Sequence, residues 1–251
     1  MFPTLRLVDV QDLGPAAPGE EVVQLDITDF TRLRHALEGI EVVVHLAGIP
    51  SEDLFSRLID SNIRATFNVF EAARQAGVRR AVFASTNHVT GFYPRAQPIG
   101  PDDPVRPDSM YAATKVFGEA VGRLYADKWG MEVVCVRIGS FAERPTSAHA
   151  LGMWLSPRDA LQLFTRAVTT PGVGYLIVFG LSRNRGSWWD NPGASVLGYE
   201  PVDEAEEAAA EDVKRQADRA SAMLQGGTYT ARDFWVAPED EEPRDAMSRG
   251  G

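Results

Sequence analysis

Tyr111 and Lys115 stand four residues apart in the stretch YAATK. On a helix that spacing is about one turn, so both side chains lie on one face. Thr86 follows the apolar run VFAS, at what reads as the C-terminal end of a strand. These three residue types suit proton transfer to or from an alcohol. A phenol of pKa about 10 is a poor base at neutral pH, but a neighbouring ammonium favours the phenolate, and about 1.4 kcal/mol of such favour makes the phenol tenfold more acidic. A second hydroxyl holds the substrate oxygen while the tyrosine moves its proton. The Y-x-x-x-K spacing alone equally suits a half-buried Tyr packed beside a surface Lys. Its place in the chain, after a strand-like run that ends in the hydroxyl pair Ser85 and Thr86, singles it out.

The elements that must position these residues follow from the pattern. TLRLVDV, EEVVQLDI, EVVVHLAG, VRRAVFAST and EVVCVRIGS are short apolar runs, several of them continuous in Val, Ile and Leu. Continuous runs suit parallel strands covered on both faces. Between them lie three helical segments: DFTRLRHALEG, capped by Thr28 and stopped at Gly39; residues 51–77; and SMYAATKVFGEAVGRLYADKWG, stopped at Gly130. Alternating strand and helix with short joints predicts an α/β fold, a doubly wound parallel sheet whose ligands bind beyond the C-terminal strand ends. From about residue 141 the pattern changes to a proline-bearing loop, the helix SPRDALQLFTRAVTT, the strand GYLIVFG, the aromatic turn WWDN and a last helix from Asp203. This predicts a small C-terminal lobe laid against the sheet, so that residues 1–237 form one domain and 238–251 a disordered acidic tail.

Composition narrows the function classes. With 251 residues, 44 % of them hydrophobic, the chain can bury a sizeable core. A net charge of -10 argues against a nucleic-acid surface, which needs a basic face. Most of that charge lies beyond residue 202, with seven acids against three bases between 203 and 219 and five against two in the tail PEDEEPRDAMSRGG. It says nothing about the charge of a substrate. No apolar run is long enough to span a bilayer, and the start lacks a secretory pattern, so a cytoplasmic protein with no membrane partner is expected. The one cysteine, Cys135, lies inside EVVCVRI and reads as a buried thiol. No metal site is expected.

STNH followed by GFYP, then RPDSMYAATKVFGE, VRIGS, MWLSPRDA, WWDN and LQGGTY together resemble the extended short-chain dehydrogenase/reductases, the NAD-dependent epimerase/dehydratase family, and within it the uronate dehydrogenases. The resemblance runs from about residue 5 to 229. It implies an NAD-binding Rossmann-like fold and oxidation of the anomeric carbon of a hexuronic acid, glucuronate or galacturonate, to an aldarolactone. It makes Tyr111 the general base, Lys115 its activator and ligand of the nicotinamide ribose, and Thr86 the hydroxyl on the substrate oxygen, where the family more often has Ser. Asn87, His88 and Ser140 would face the sugar, although His88 taken alone reads equally as a packed loop histidine. Asp9 would take the adenosine ribose hydroxyls, which selects NAD over NADP. Asp26 and Ile27 would flank the adenine, and Leu46, Ala47, Gly48 and Ser85 would line the rest of the cofactor path. The family often pairs the helices of segments 51–77 and 109–130 across a two-fold axis, so a homodimer is an expectation of the same kind.

Two departures from the family pattern bear on function. Where the family has a basic residue, usually Arg, for the uronate carboxylate, this chain has His149, with Arg144 nearby. Arg grips a carboxylate with two parallel hydrogen bonds and stays charged, whereas His offers at most one donor, a difference on the scale of one charge-assisted bond, about 1.5 to 3 kcal/mol. The family also begins with a strand, a G-x-x-G-x-x-G turn and a helix, whose backbone N–H groups hold the pyrophosphate. Here the first run, TLRLVDV, matches the second strand of that order. The sheet is thus expected to lack its first strand and helix, leaving two inner edges about 9 to 10 Å apart. The working protein is expected to carry roughly 20 to 30 more residues ahead of Met1, and the cofactor site to be incomplete in the chain as it stands. A nucleotide-sugar epimerase or dehydratase, and a non-catalytic remnant of the scaffold, are the alternative readings.

Overall fold

The computed structural model describes residues 4–210, 213 and 224–236. Two parallel sheets carry the fold. β1 (Leu5–Asp9) pairs with β2 (Glu20–Gln24), and β3 (Val42–His45), β4 (Arg80–Thr86), β5 (Glu132–Ile138) and β8 (Tyr175–Gly180) form a four-stranded sheet in that order. All the pairings within these two sheets are parallel. Among the described residues no strand joins β1 to β3, so the expected inner edges are present.

Alternation along the central strands sends neighbouring side chains to opposite layers. On one side Ala81, Phe83, Val133 and Cys135 pack with Leu33 of α1 (Phe30–Ala36), Val69, Phe70 and Ala73 of α3 (Ala65–Gln75), and Val121 and Tyr125 of α4 (Met110–Trp129). On the other side Val82, Val134, Val136 and Val178 meet Leu163 and Ala167 of α5 (Pro157–Thr169) and Leu197 of α6 (Pro192–Leu197). Being covered on both faces explains why β4 and β5 read as continuous apolar runs. It also corrects one expectation, because GYLIVFG and SPRDALQLFTRAVTT are the fourth strand and the outer helix of the main sheet rather than parts of a separate lobe. What stands apart after Gly139 is the short pair β6 (Ser140–Phe141) and β7 (Trp154–Leu155), with α7 (Ala205–Ala208) later in the chain.

Two local readings also change. The cap of α1 is Asp29, whose side chain accepts from Arg32 N, while Thr28 is drawn back onto the Asp26 carboxylate. Segment 51–77 is not one regular helix: α2 (Phe55–Leu58) passes through a π turn at Ile59–Arg64 into α3. The last helix is described only as Ala205–Ala208, and the tail 238–251 lies outside the described residues. The thiol of Cys135 is buried against the Tyr175 hydroxyl, and burial pushes its pKa up.

Candidate active site

The chemistry-bearing residues meet at the C-terminal end of β4. Thr86 is the last residue of that strand, and its hydroxyl caps the 3-10 turn Asn87–Thr90 by accepting from His88 N at 3.3 Å. α4 starts beneath it. Ser109 caps this helix by accepting from Ala112 N at 3.1 Å, and the Glu52 carboxylate accepts from Tyr111 N at 2.9 Å, a negative group at the positive helix end. Tyr111 and Lys115 thus lie one turn apart on the face packed against β4, both only 7 % exposed.

The Lys115 ammonium donates to Ala84 O at 2.9 Å and lies 5.8 Å from the centre of the Tyr111 ring. Burial pulls its pKa down from 10.5 to about 8, so at neutral pH it keeps its charge. For Tyr111 the balance differs from the expectation. Burial raises its phenol to about 12, a hydrogen bond with Thr86 pulls the other way, and Tyr229 and Asp108 raise it further. Desolvation of the buried phenol outweighs the help that a nearby ammonium gives the phenolate.

Beneath the site lies a buried polar layer. Ser85 donates to Glu119 Oε1 at 2.6 Å, and Arg137 binds both oxygens of Glu119 at 2.9 Å. The single proton of the Ser85 hydroxyl is therefore committed to Glu119, so toward a cofactor its oxygen can only accept. His45, beside Lys115, is held neutral by burial, its pKa pushed down to about 3, and bonds Thr66 Oγ1 at 3.0 Å.

The residues assigned to the sugar and its acid group lie around Met153 and the turn at Gln225–Gly227. Asn87 is buried, with Nδ2 3.7 Å from Met153 Sδ, and Ser140 opens β6 with its N–H on Met153 O. His149 is buried with Nε2 3.1 Å from Gln225 O, so that nitrogen serves a backbone carbonyl. Its ring tilts on Trp188 at 5.5 Å, and the Arg95 guanidinium covers the Trp188 ring at 4.4 Å. Arg144 is exposed and lines a groove of about 550 Å³ with Arg158, Asp203 and Glu207, apart from Tyr111 and Thr86.

Whether the chain fits a dinucleotide is tested at three places. At one end Asp9 closes β1, its Oδ1 accepting from Gln11 N, and Asp26 and Ile27 follow β2. In the middle, Leu46, Ala47 and Gly48 follow β3 as an exposed turn held by Asn62, which pairs with both backbone groups of Ile49. Gly48, at φ 143°, leaves open a cradle in which a Cβ would come within 2.9 Å of Asn62 Oδ1. At the other end stand Lys115 and Tyr111. Among the described residues no glycine-rich turn links a strand to a helix between β1 and β3, so groups of the right chemistry for two riboses are present and a cradle for the pyrophosphate is not.

Fold and site together define a dinucleotide-dependent enzyme of the Tyr–Lys type. Residues 4–147 match the model of the NAD dependent epimerase/dehydratase family, and the chain belongs to that family. It is 43 % identical over 229 residues to a uronate dehydrogenase of Pseudomonas putida, covering 90 % of this chain and 85 % of the relative. A crystal structure of a uronate dehydrogenase from Agrobacterium tumefaciens, a mutant complexed with NAD, superposes with a TM-score of 0.86 at 37 % identity, covering 94 % of this chain and 90 % of that one. A glucuronic acid dehydrogenase from Chromohalobacter salexigens also gives 0.86 at 37 % identity, covering 91 % and 87 %.

Several groups that build the site are not legible as such in the sequence. Glu52, Asn62 and Tyr229 act from loops or helices far from YAATK in the chain, and Asp108, three residues ahead of it, carries no signal of its own. LQGGTY carries only a resemblance as a string of residues, yet Tyr229 within it bonds Ser51 Oγ at 2.9 Å and stacks on His88 at 3.8 Å.

Proposed function

We propose that this chain oxidises the anomeric carbon of a hexuronic acid to its lactone, with NAD as cofactor and Tyr111, Lys115 and Thr86 as the catalytic groups. The observation that carries this reading is the placing of Tyr111 and Lys115, one helical turn apart on the buried face of α4, at the end of β4 where Thr86 stands. Bound NAD supplies the hydride acceptor for the C1 hydrogen. The protein handles the proton: Thr86 fixes the oxygen of the C1 hydroxyl, and the Tyr111 oxygen, as the phenolate left once its own proton has gone to solvent, takes that proton as the C=O bond forms. Lys115 holds its positive charge beside the phenol and is placed to bond the ribose nearest the nicotinamide. Asp9 takes the hydroxyls of the other ribose, Asp26 and Ile27 border the adenine, and residues 46–48 carry the connecting stretch.

Asn87, His88 and Ser140 face the sugar in this reading, and the loops from about residue 141 form the substrate lobe. His149, with one nitrogen on Gln225, does not grip a carboxylate as an arginine does, so weaker acid recognition than in an arginine-bearing relative is expected. Exposed Phe67 on α3 and Leu124 and Trp129 on α4 supply apolar surface for pairing of two chains, which light scattering tests. No helix among the described residues is long and apolar enough to cross a membrane. A reaction of NAD with a small acid suits the cytoplasm.

The test is formation of reduced cofactor with glucuronate and galacturonate, set against glucose, galactose and arabinose. Preference for either uronate supports the reading. Equal rates with the neutral sugars would move the substrate class to aldoses.

A further inference from the structure

Asp108 has a fully buried side chain at the entry to α4. Its Oδ2 lies 2.8 Å from His88 Nδ1, and its Oδ1 accepts from Ser109 Oγ at 3.0 Å. Two glycines shape the space around that carboxylate. A Cβ on Gly91 would fall 1.8 Å from Oδ2, and one on Gly226 would fall 1.9 Å from the same atom. Gly226 N in turn donates to Gly91 O at 2.9 Å, so two segments distant in sequence close on one oxygen. His88 is clamped as well, stacked on Tyr229 at 3.8 Å and edge-on to the catalytic Tyr111 at 6.4 Å.

This arrangement settles which ring nitrogen is available. A carboxylate accepts, so Nδ1 carries the hydrogen, and the neutral ring keeps Nε2 as an acceptor. Among the described residues Nε2 has no hydrogen-bond partner. A helix-entry acid with no other role would need neither a glycine on each side nor an imidazole on its outer oxygen. We infer that Asp108 is a positioning residue: it fixes His88 as the Nδ1–H tautomer against Tyr229, so that Nε2 accepts a hydroxyl of the sugar acid beside the Tyr111 phenol. The inference rests on the uronate reading and adds the group that makes His88 an acceptor for one particular hydroxyl.

The experiment combines ring-nitrogen NMR of His88 with steady-state kinetics of D108N, in which the side chain keeps its size and so fits the two glycines. In the wild-type chain the His88 signals are expected to show hydrogen on Nδ1. In D108N the amide nitrogen can face the ring, and a population with hydrogen on Nε2 is expected. The uronate KM is then expected to rise about tenfold or more, the loss of roughly one hydrogen bond. kcat, the KM for NAD and the melting temperature are expected to change little, a split that a purely structural role would not produce. Hydrogen on Nε2 in the wild-type chain, or an unchanged uronate KM in D108N, overturns the inference. If D108N does not fold, the wild-type spectrum and its response to added glucuronate still decide it. A wild-type chain with hydrogen on Nδ1 that binds no uronate overturns the functional reading instead.

Discussion

Lys115 shows how a buried site sets its own protonation. Its ammonium is wedged between the rings of Phe83 and Tyr111, at 5.2 and 5.8 Å from their centres, with Ala84 O as acceptor. Burial places its folded pKa at about 8, against 10.5 ordinarily. Between those values the unfolded chain binds the extra proton, so the lysine's contribution to stability rises with pH, by about 3 kcal/mol across the window. Below pH 8 both states hold the proton and the contribution is flat. Denaturant titrations of wild type and K115M from pH 7 to 10 are expected to converge in slope below pH 8 and diverge above it. Parallel curves would mean that the lysine is not desolvated. At this scale the sequence was informative about identity and silent about environment. YAATK named the pair, but nothing within it revealed that burial would push Tyr111 up to about 12, because the groups around the phenol include Thr86, His88 and Tyr229 from elsewhere in the chain.

At the scale of elements, α4 must lie close on β4 for Tyr111 to reach Thr86. Gly118, on the turn after Lys115, permits this: a Cβ there would fall 2.2 Å from Cζ of Phe83. Adding that methyl forces helix or ring to shift, an overpacking cost of about 1 to 3 kcal/mol. G118A is therefore expected to lower the midpoint of urea unfolding and to slow turnover more than it weakens NAD binding; an unchanged midpoint would place the helix farther from the strand. The strands were legible because burial on both faces leaves a continuous apolar run, as in EVVCVRI. The helix details were less so. Thr28 and Asp29 are both good capping types, and only the bond of Thr28 to Asp26 decides between them. The π turn at Ile59–Arg64 has no composition signal, yet it lies at Asn62, which bonds both the turn after β3 and Thr114 of α4. That long-range bond is what the sequence could not display.

For the whole molecule the division of the sheet matters most. β4 is buried along its entire length, whereas β1 and β2 are only half-buried. The β1–β2 pair joins the main core through Val8, Val23 and the α1 contacts on one face. Amide exchange is accordingly expected to be faster in β1 and β2 than in β4 and β5, local opening costing less where one layer is thin. Uniform protection across both sheets would contradict this. The order of elements and the split were foreseeable from TLRLVDV reading as a second strand. The place of β8 in the main sheet was not, since a strand's neighbours are set by the crossover of α5 and not by its own residues. In the proposed reaction Tyr111 moves the proton of a uronate oxidation, supported by Lys115 and Thr86. This role is tested most directly by the rate of reduced-cofactor formation at saturating NAD and glucuronate or galacturonate, for wild type and Y111F. Turnover by wild type is expected, with a loss of about 100-fold or more in Y111F, the scale of general acid–base catalysis, and with NAD binding unchanged. Equal rates in the two proteins, or no turnover of either uronate by a wild-type chain that binds NAD, would contradict it.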